Sequence, residues 1–80
     1  MINKQVSLSD MPVGSDVIVS KVETKGTIKR RLLDLGFVPG ARVKGALQSP
    51  VGDPIAYEIR GTVIALRKSD AHGILVSKKD

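Results

Sequence analysis

Short runs of β-branched residues, each ended within a few positions by glycine or proline, are the feature of this sequence that most restricts its fold. Branched side chains lose conformational freedom in a helix and pack well on a pleated, half-buried surface, so they favour strands. Valine, isoleucine, leucine and alanine supply nearly all of the apolar residues, whereas Phe37 and Tyr57 are the only aromatic ones. The chain is therefore predicted to be mainly β, with an aliphatic core.

Five segments are predicted to be strands, because each alternates apolar and polar residues or carries a short β-branched run. They are Asp16–Val22, 41–47, 55–59, 63–66 and 74–76. The third and fourth should form a hairpin with a tight turn at Gly61 and Thr62. Residues 7–14 and 49–54 are rich in turn formers, so both are predicted to be loops. The polar segment 67–73 is predicted to form a single 3₁₀ turn.

One short helix is predicted between the first two strands. Ile28, Leu32 and Leu35 fall at positions i, i+4 and i+7, which places them on one stripe of a helix about 60° wide. Thr27 is the natural N-cap, with Thr24 as the alternative.

Three residues should end this helix. Gly36 occupies the position where a C-cap needs positive φ, Phe37 can fold back onto the last turn, and Pro39 prevents continuation.

The length of 80 residues leaves room for one core and one domain, spanning residues 1–80. Five or six short strands are too little material for a sandwich of two sheets, but they suffice for a small closed barrel. The predicted architecture is therefore a small β-barrel with one inserted helix.

Composition limits the class of protein. The absence of cysteine excludes disulfide bonds and thiolate metal sites and fits a reducing compartment. The first residues lack the apolar region of a secretory signal, and no segment approaches the ~18 apolar residues of a membrane-spanning helix. The chain is predicted to be soluble and cytoplasmic. Its net charge of +5 favours an acidic partner.

Neither catalysis nor metal binding is predicted. Fe²⁺ sites combine imidazole and carboxylate ligands, but His72 is the single histidine and the acidic residues are scattered along the chain. One histidine without a cysteine leaves little for nucleophilic catalysis, and the sequence has no Gly-Lys-Ser phosphate loop. No catalytic residue, metal ligand or cofactor is therefore assigned.

The predicted helix carries the best candidate for a binding surface. Its basic residues crowd one end: Lys25, Lys29, Arg30 and Arg31. At 100° per residue, Leu33 projects about 140° from Ile28, onto the side of the lysine and arginine side chains. Such a group is either an ordinary solvated face or an apolar anchor with a polar rim. We predict an anchor, and the expected partner contacts are Arg30, Arg31, Leu33 and Phe37.

The order of these segments resembles the FeoA family over about residues 7 to 78. The resemblance rests on Leu8, Pro12, Val13 and Gly14, on residues 29–40, on Val43, on residues 49–55 and 64–67, and on Ala71 with residues 74–76. Residues 31–40 (RLLDLGFVPG) and 50–55 (PVGDPI) are specific in combination.

This resemblance implies an SH3-like barrel with an inserted helix and a cytosolic location. It also implies support of ferrous iron uptake through contact with FeoB, a membrane transporter that bears a GTP-binding domain. It implies neither iron nor nucleotide binding by this chain. The contact residues given above come from the helix pattern and not from the family.

A basic barrel that binds RNA is the alternative function. Small basic barrels often bind ribosomal RNA, and residues 40–43 are similar to their Gly-x-x-Val turn. Recognition of single strands depends on stacking against aromatic rings, and the chain has two such rings. The scarcity of aromatic residues therefore weakens this alternative.

Overall fold

The computed structural model describes residues 6–12, 14–48 and 52–78. Its elements in chain order are β1 (Val6–Ser7), a 3₁₀ turn (Leu8–Asp10), β2 (Asp16–Val22), α1 (Gly26–Leu35), β3 (Arg42–Gln48), β4 (Ile55–Ile59), β5 (Thr62–Leu66), α2 (Lys68–Ala71) and β6 (Ile74–Lys78). The prediction of a mainly β chain with an inserted helix is confirmed.

The six strands form one antiparallel sheet in the order β1-β6-β2-β3-β4-β5. The register shifts once within the β2 and β6 pair and once within the β3 and β4 pair. Such shifts bend a strand and increase its twist, which helps a short sheet to curl around its core. Strands β1 and β5 form the two edges of the sheet.

The core is aliphatic apart from two rings, as the composition predicts. It contains Leu8, Val17, Val19, Val22, Leu32, Phe37, Val43, Ile55, Tyr57, Ile59, Leu66, Ala71, Ile74 and Val76. Alternate residues of β2, β4 and β6 supply half of these side chains, because successive side chains of a strand point to opposite faces. Val22 joins the core three positions after Val19, beyond the register shift in β2.

Helix α1 ends as predicted and begins differently. Gly36 has φ 110°, and the N–H groups of Gly36 and Phe37 donate to the carbonyl oxygens of Leu33 and Leu32, each at 3.0 Å. These bonds satisfy the last carbonyl groups of the helix. The N-cap, however, is Lys25, which makes no side-chain capping bond. The Thr24 hydroxyl donates instead to the carbonyl oxygen of Asp70, at 3.4 Å.

The predicted apolar stripe of α1 is wrong at its first member. Leu32 is buried and Leu35 is half-buried, but Ile28 is 38% exposed. All residues from 26 to 31 are exposed, so the core reaches only the C-terminal half of the helix. Helical periodicity shows which side chains share a face, but it does not show how far the neighbouring core extends.

The hairpin turn lies one residue earlier than predicted. Its central residues are Arg60 and Gly61, with φ values of 53° and 77°, and Ile59 pairs with Thr62. Positive φ at both central positions is the type I′ arrangement, which matches the twist of antiparallel strands. The sequence did not indicate the position of this turn, because arginine rarely adopts positive φ.

The segment after β5 is an α-helical turn and not the predicted 3₁₀ turn. The N–H groups of Ala71 and His72 donate to the carbonyl oxygens of Arg67 and Lys68, four residues earlier. The Asp53 carboxylate accepts the Lys68 N–H at 2.9 Å, which satisfies one donor at the start of α2. Of the predicted loop at 49–54, residues 49–51 lie outside the described residues, and 52–54 are neither helix nor strand.

Candidate docking surface

The N-terminal half of α1 stands clear of the core and presents an apolar residue among cations. Ile28 and Val63 are the exposed large hydrophobic residues in the part of the chain that the structure describes. Lys29, Arg30 and Arg31 follow Ile28 directly, and all three are exposed. We call the group formed by Ile28, Lys29, Arg30, Arg31 and Leu33 the helix surface.

A shallow depression of about 430 Å³ lies on one side of the helix surface. Its lining residues are Gly26, Lys29, Arg30, Leu33 and Asp34. Leu33 is half-buried and packs against the core, so it provides a fixed apolar floor. The depression therefore combines an apolar floor with a charged rim, the arrangement of a small anchor site.

The structure brings together only part of the predicted contact set. Arg30 and Leu33 line the same depression, whereas Arg31 is exposed but is absent from its lining. Phe37 is 0% exposed and belongs to the core. Its inclusion among the contacts is therefore wrong, because the chain reversal at Gly36 turns the ring inward.

The start of α1 is electrostatically unusual. The first turn contains no acidic residue, and Lys25 stands at the N-cap with Lys29 one turn later. Cations at a helix N-terminus oppose the positive end of the helix dipole. The helix surface is thus strongly positive, and an anionic partner would relieve that repulsion.

A second depression, of about 690 Å³, was not predicted. Its lining includes charged residues of both signs: Asp16, Arg42, Lys44, Glu58 and Arg60. Arg42 donates two hydrogen bonds to the Asp16 carboxylate, at 2.9 and 2.6 Å, and these bonds raise the pKa of Arg42. The pairing of β2 with β3 unites these distant residues. Because Arg42 is already paired with Asp16 and Glu58 adds a second negative charge, this site is a weaker candidate for an anionic partner.

The single histidine lies beside a serine without forming a nucleophilic pair. The Ser7 hydroxyl donates to the carbonyl oxygen of His72 at 2.8 Å, while His72 Nδ1 is 3.5 Å from the same hydroxyl oxygen. The Ser7 proton is therefore directed at the carbonyl and not at the ring. The residues described contain no group of three or more His, Asp or Glu side chains placed to hold a metal ion.

Tyr57 is the one ionisable side chain among the core residues that the structure describes. Burial first, and the negative charge of Asp53 second, raise the pKa of Tyr57 to about 12. Its hydroxyl oxygen has no hydrogen-bond partner among the described residues. The phenol therefore stays protonated at neutral pH and inside the core, where a substrate has no access to it.

A family model and a known protein sequence match this chain over most of its length and point to the same family. Residues 6–78 match the family model of the FeoA domain. The chain is also 33% identical over 69 residues to an Fe(2+) transport protein A/Fe(2+) transporter FeoB fusion protein of Porphyromonas gingivalis. That alignment covers 86% of this chain and 8% of the fusion protein.

Solved structures share the fold. The solution NMR structure of the FeoA protein from Chlorobium tepidum is 35% identical, with a TM-score of 0.88, and the match covers 94% of this chain and 71% of that one. A crystal structure of Stenotrophomonas maltophilia FeoA complexed with zinc, a procaryotic SH3 domain protein, is 35% identical with a TM-score of 0.80. The match covers 89% of this chain and 88% of that one. The predicted SH3-like fold is thereby confirmed.

Proposed function

The chain belongs to the FeoA family, and from this membership we propose that it supports ferrous iron uptake by docking onto a FeoB transporter through the helix surface. The chain acts by contact and without catalysis of its own. It works in the cytoplasm and reaches the membrane through its partner. Within the described residues, no helix has the length and apolar character to cross a membrane.

The observation that carries this proposal is the exposed, basic and partly apolar half of α1. A helix that served only to cover the core would turn Ile28 inward, but this residue is 38% exposed. The half-buried Leu33 gives the surface a rigid apolar floor, and Lys29 with Arg30 gives it a charged rim. A partner with an acidic, apolar-centred face would fit it.

The fusion protein of Porphyromonas gingivalis supports the choice of partner. A FeoA-like segment and a FeoB transporter in one polypeptide stay at high effective concentration relative to each other. Such a fusion is useful when the two parts act together. The helix surface is the proposed contact between two such parts.

The RNA-binding alternative gains nothing from the structure. Base stacking requires exposed rings, and the chain contains one phenylalanine and one tyrosine. Phe37 and Tyr57 are both buried in the core. A basic surface without exposed rings favours a protein partner over single-stranded RNA.

The proposal is tested by measuring the affinity of this chain for detergent-solubilised FeoB from the same organism. A double variant, Arg30→Glu with Arg31→Glu, reverses two charges on exposed residues and should weaken binding at least tenfold, since rim charges affect steering and specificity. Ile28→Asp should also weaken binding, because it places an anion beside an anionic partner. Circular dichroism checks that each variant is folded.

A matched control carries the same charge change elsewhere. Lys21 and Lys78 are exposed, lie on β2 and β6, and do not belong to the helix surface. The double variant Lys21→Glu with Lys78→Glu should bind almost as the natural chain does. Equal affinity of all variants would refute the helix surface as the docking site. Leu33→Asp adds a further test, provided that the variant folds.

A further inference from the structure

Strand β5 leaves one side of its backbone open. It is an edge of the sheet and pairs only with β4 among the described residues. Ile59 and Thr62 flank a two-residue turn and form a hydrogen-bonded pair, so hydrogen-bonded pairs recur at every second position along the hairpin. The N–H and C=O groups of Val63 and Ala65 therefore face away from β4.

These outward groups are available to another strand. No hydrogen bond joins the backbone of Val63 or Ala65 to any turn, loop or cap that the structure describes. Val63 is 60% exposed, and Ala65 is exposed as well. Edge strands usually carry a charge, a proline or a bulge that prevents further pairing. Residues Thr62–Leu66 have none of these features.

The charges around this edge select the composition of a partner strand. Arg67 and Lys68 follow the strand and are exposed, whereas the side chain of Arg60, which precedes the strand, lies against Gly36. Glu58 lies directly opposite Val63 on the neighbouring strand. The end of the edge beside Arg67 and Lys68 therefore favours acidic residues, while its centre favours uncharged ones.

We propose that β5 is a second binding site, which takes up an extended segment of a partner protein as an added strand. The segment is apolar or uncharged at its centre and acidic at the end that lies beside Arg67 and Lys68. Main-chain hydrogen bonds from Val63 and Ala65 supply the pairing, and Arg67 and Lys68 supply the selectivity. The exposed side chain of Val63 is partly covered when the strand is added.

A second copy of this chain is a poorer occupant. If two β5 strands paired antiparallel through their outward groups, Val63 would lie opposite Ala65 of the second copy. In that register the hairpin turn that carries Arg60 would approach Arg67 and Lys68 of the other copy, just beyond both ends of the pair. Like charges brought close together repel each other. Charge thus disfavours self-pairing and favours an acidic-ended strand.

The test uses the purified full chain and synthetic peptides, so it does not depend on FeoB. The probe is a peptide of about seven residues, the length of an ordinary strand, with valine and threonine at its centre and glutamate at its ends. NMR titration should show saturable shifts of the Val63 and Ala65 amides, and hydrogen exchange at both should slow. The same peptide with N-methylated amides, or with lysine ends, should bind at least tenfold more weakly.

Two variants of the chain locate the site. Ala65→Pro removes an outward N–H without removing a bond to β4, and it should lower the affinity about tenfold. Ala65→Val keeps that N–H and serves as its control, with unchanged or tighter binding. Val63→Lys adds a charge at the centre of the open edge and should weaken peptide binding to a similar extent, even if the proline variant fails to fold.

Two outcomes would overturn the inference. In the first, neither Ala65→Pro nor Val63→Lys changes the affinity for the peptide. In the second, the natural chain does not bind the peptide even at millimolar concentration. Protection of the Val63 and Ala65 amides that grows with protein concentration alone would assign the edge to a second copy. Loss of FeoB binding in helix-surface variants with normal peptide binding would show that the two sites are separate, as the inference requires.

Discussion

Tyr57 places a phenol inside an aliphatic core, and its ionisation should make the free energy of unfolding depend on pH in alkaline solution. Its pKa is raised to about 12, against about 10 for an unfolded tyrosine. Between these values the folded chain keeps a proton that the unfolded chain releases. The free energy of unfolding should therefore be unaffected by this group below pH ~10 and fall as the pH rises towards ~12, by about 2 to 3 kcal/mol in total.

The control for this prediction is Tyr57→Phe, which removes the ionisable group and a buried hydroxyl that has no partner among the described residues. At neutral pH this variant should be as stable as the natural chain or slightly more so. Its urea unfolding should lose the extra alkaline destabilisation, while the lysine titration is common to both proteins. Because the chain has one tyrosine and no tryptophan, tyrosinate absorbance reports the titration directly. A midpoint near pH 10 in the folded state would contradict the prediction.

Gly73 is required by close approach and not by positive φ. A Cβ at this position would overlap the Thr24 hydroxyl oxygen and lie 2.9 Å from the Thr24 backbone nitrogen. Gly73→Ala should therefore lower the free energy of unfolding by about 1 to 3 kcal/mol, measured by urea denaturation, because backbone must move.

A double variant separates the two contacts made by this added methyl group. Thr24→Ala removes the hydroxyl oxygen but leaves the backbone nitrogen in place. Gly73→Ala should therefore remain destabilising in the Thr24→Ala background. Full recovery in the double variant would show that only the side chain of Thr24 excludes a larger residue at position 73.

Helix α1 begins in a way that costs stability. Lys25 has extended backbone angles, φ −111° and ψ 167°, which suit an N-cap, but its side chain cannot accept a bond from the first turn. Lys25→Asp should add about 1 kcal/mol to the free energy of unfolding by capping the helix and complementing its dipole. The control Lys25→Ala removes the charge but adds no cap, so urea denaturation should show a smaller gain. Equal gains from both variants would contradict the capping argument.

Elements with a strong local signal were predicted well from the sequence. β2 has the predicted bounds, and the glycine at position 36 ends α1 because no other residue tolerates that backbone so easily. Features that depend on distant parts of the chain were missed. Thr24 contacts α2 and not the start of α1, and Asp53 caps α2 from 15 positions away.

The candidate site was predicted in part for the same reason. Helical geometry alone placed Leu33 beside Arg30, and the structure puts both in one depression. Helical geometry could not predict that Ile28 is exposed, because exposure depends on where the core ends. The open edge of β5 was also invisible to local patterns, since strand order in a sheet is decided by the whole fold.

At the scale of the whole molecule, the two proposed sites lie on different elements, one on helix α1 and one on the edge strand β5. The net charge of +5 results from 13 basic and 8 acidic residues, and exposed cations form part of the helix surface and follow the open edge of β5. A rigid scaffold loses little conformational freedom on binding. The protein can therefore present two separate contacts without changing its fold, one built by a helix and one by a strand edge.

Long-range charge should make docking onto FeoB sensitive to salt. Raising the ionic strength from about 0.1 M to about 1 M shortens the Debye length from about 10 Å to about 3 Å. Charges at the rim of an interface attract the two proteins before they touch. Screening these charges should therefore lower the association rate about tenfold, while the dissociation rate changes little. Surface-immobilised FeoB and stopped-flow mixing can measure both rates. The Arg30→Glu with Arg31→Glu variant should show a weaker dependence, and the Lys21→Glu with Lys78→Glu control a nearly normal one. A salt effect confined to dissociation would mean that the cations of the helix surface hold the complex together and do not guide its formation.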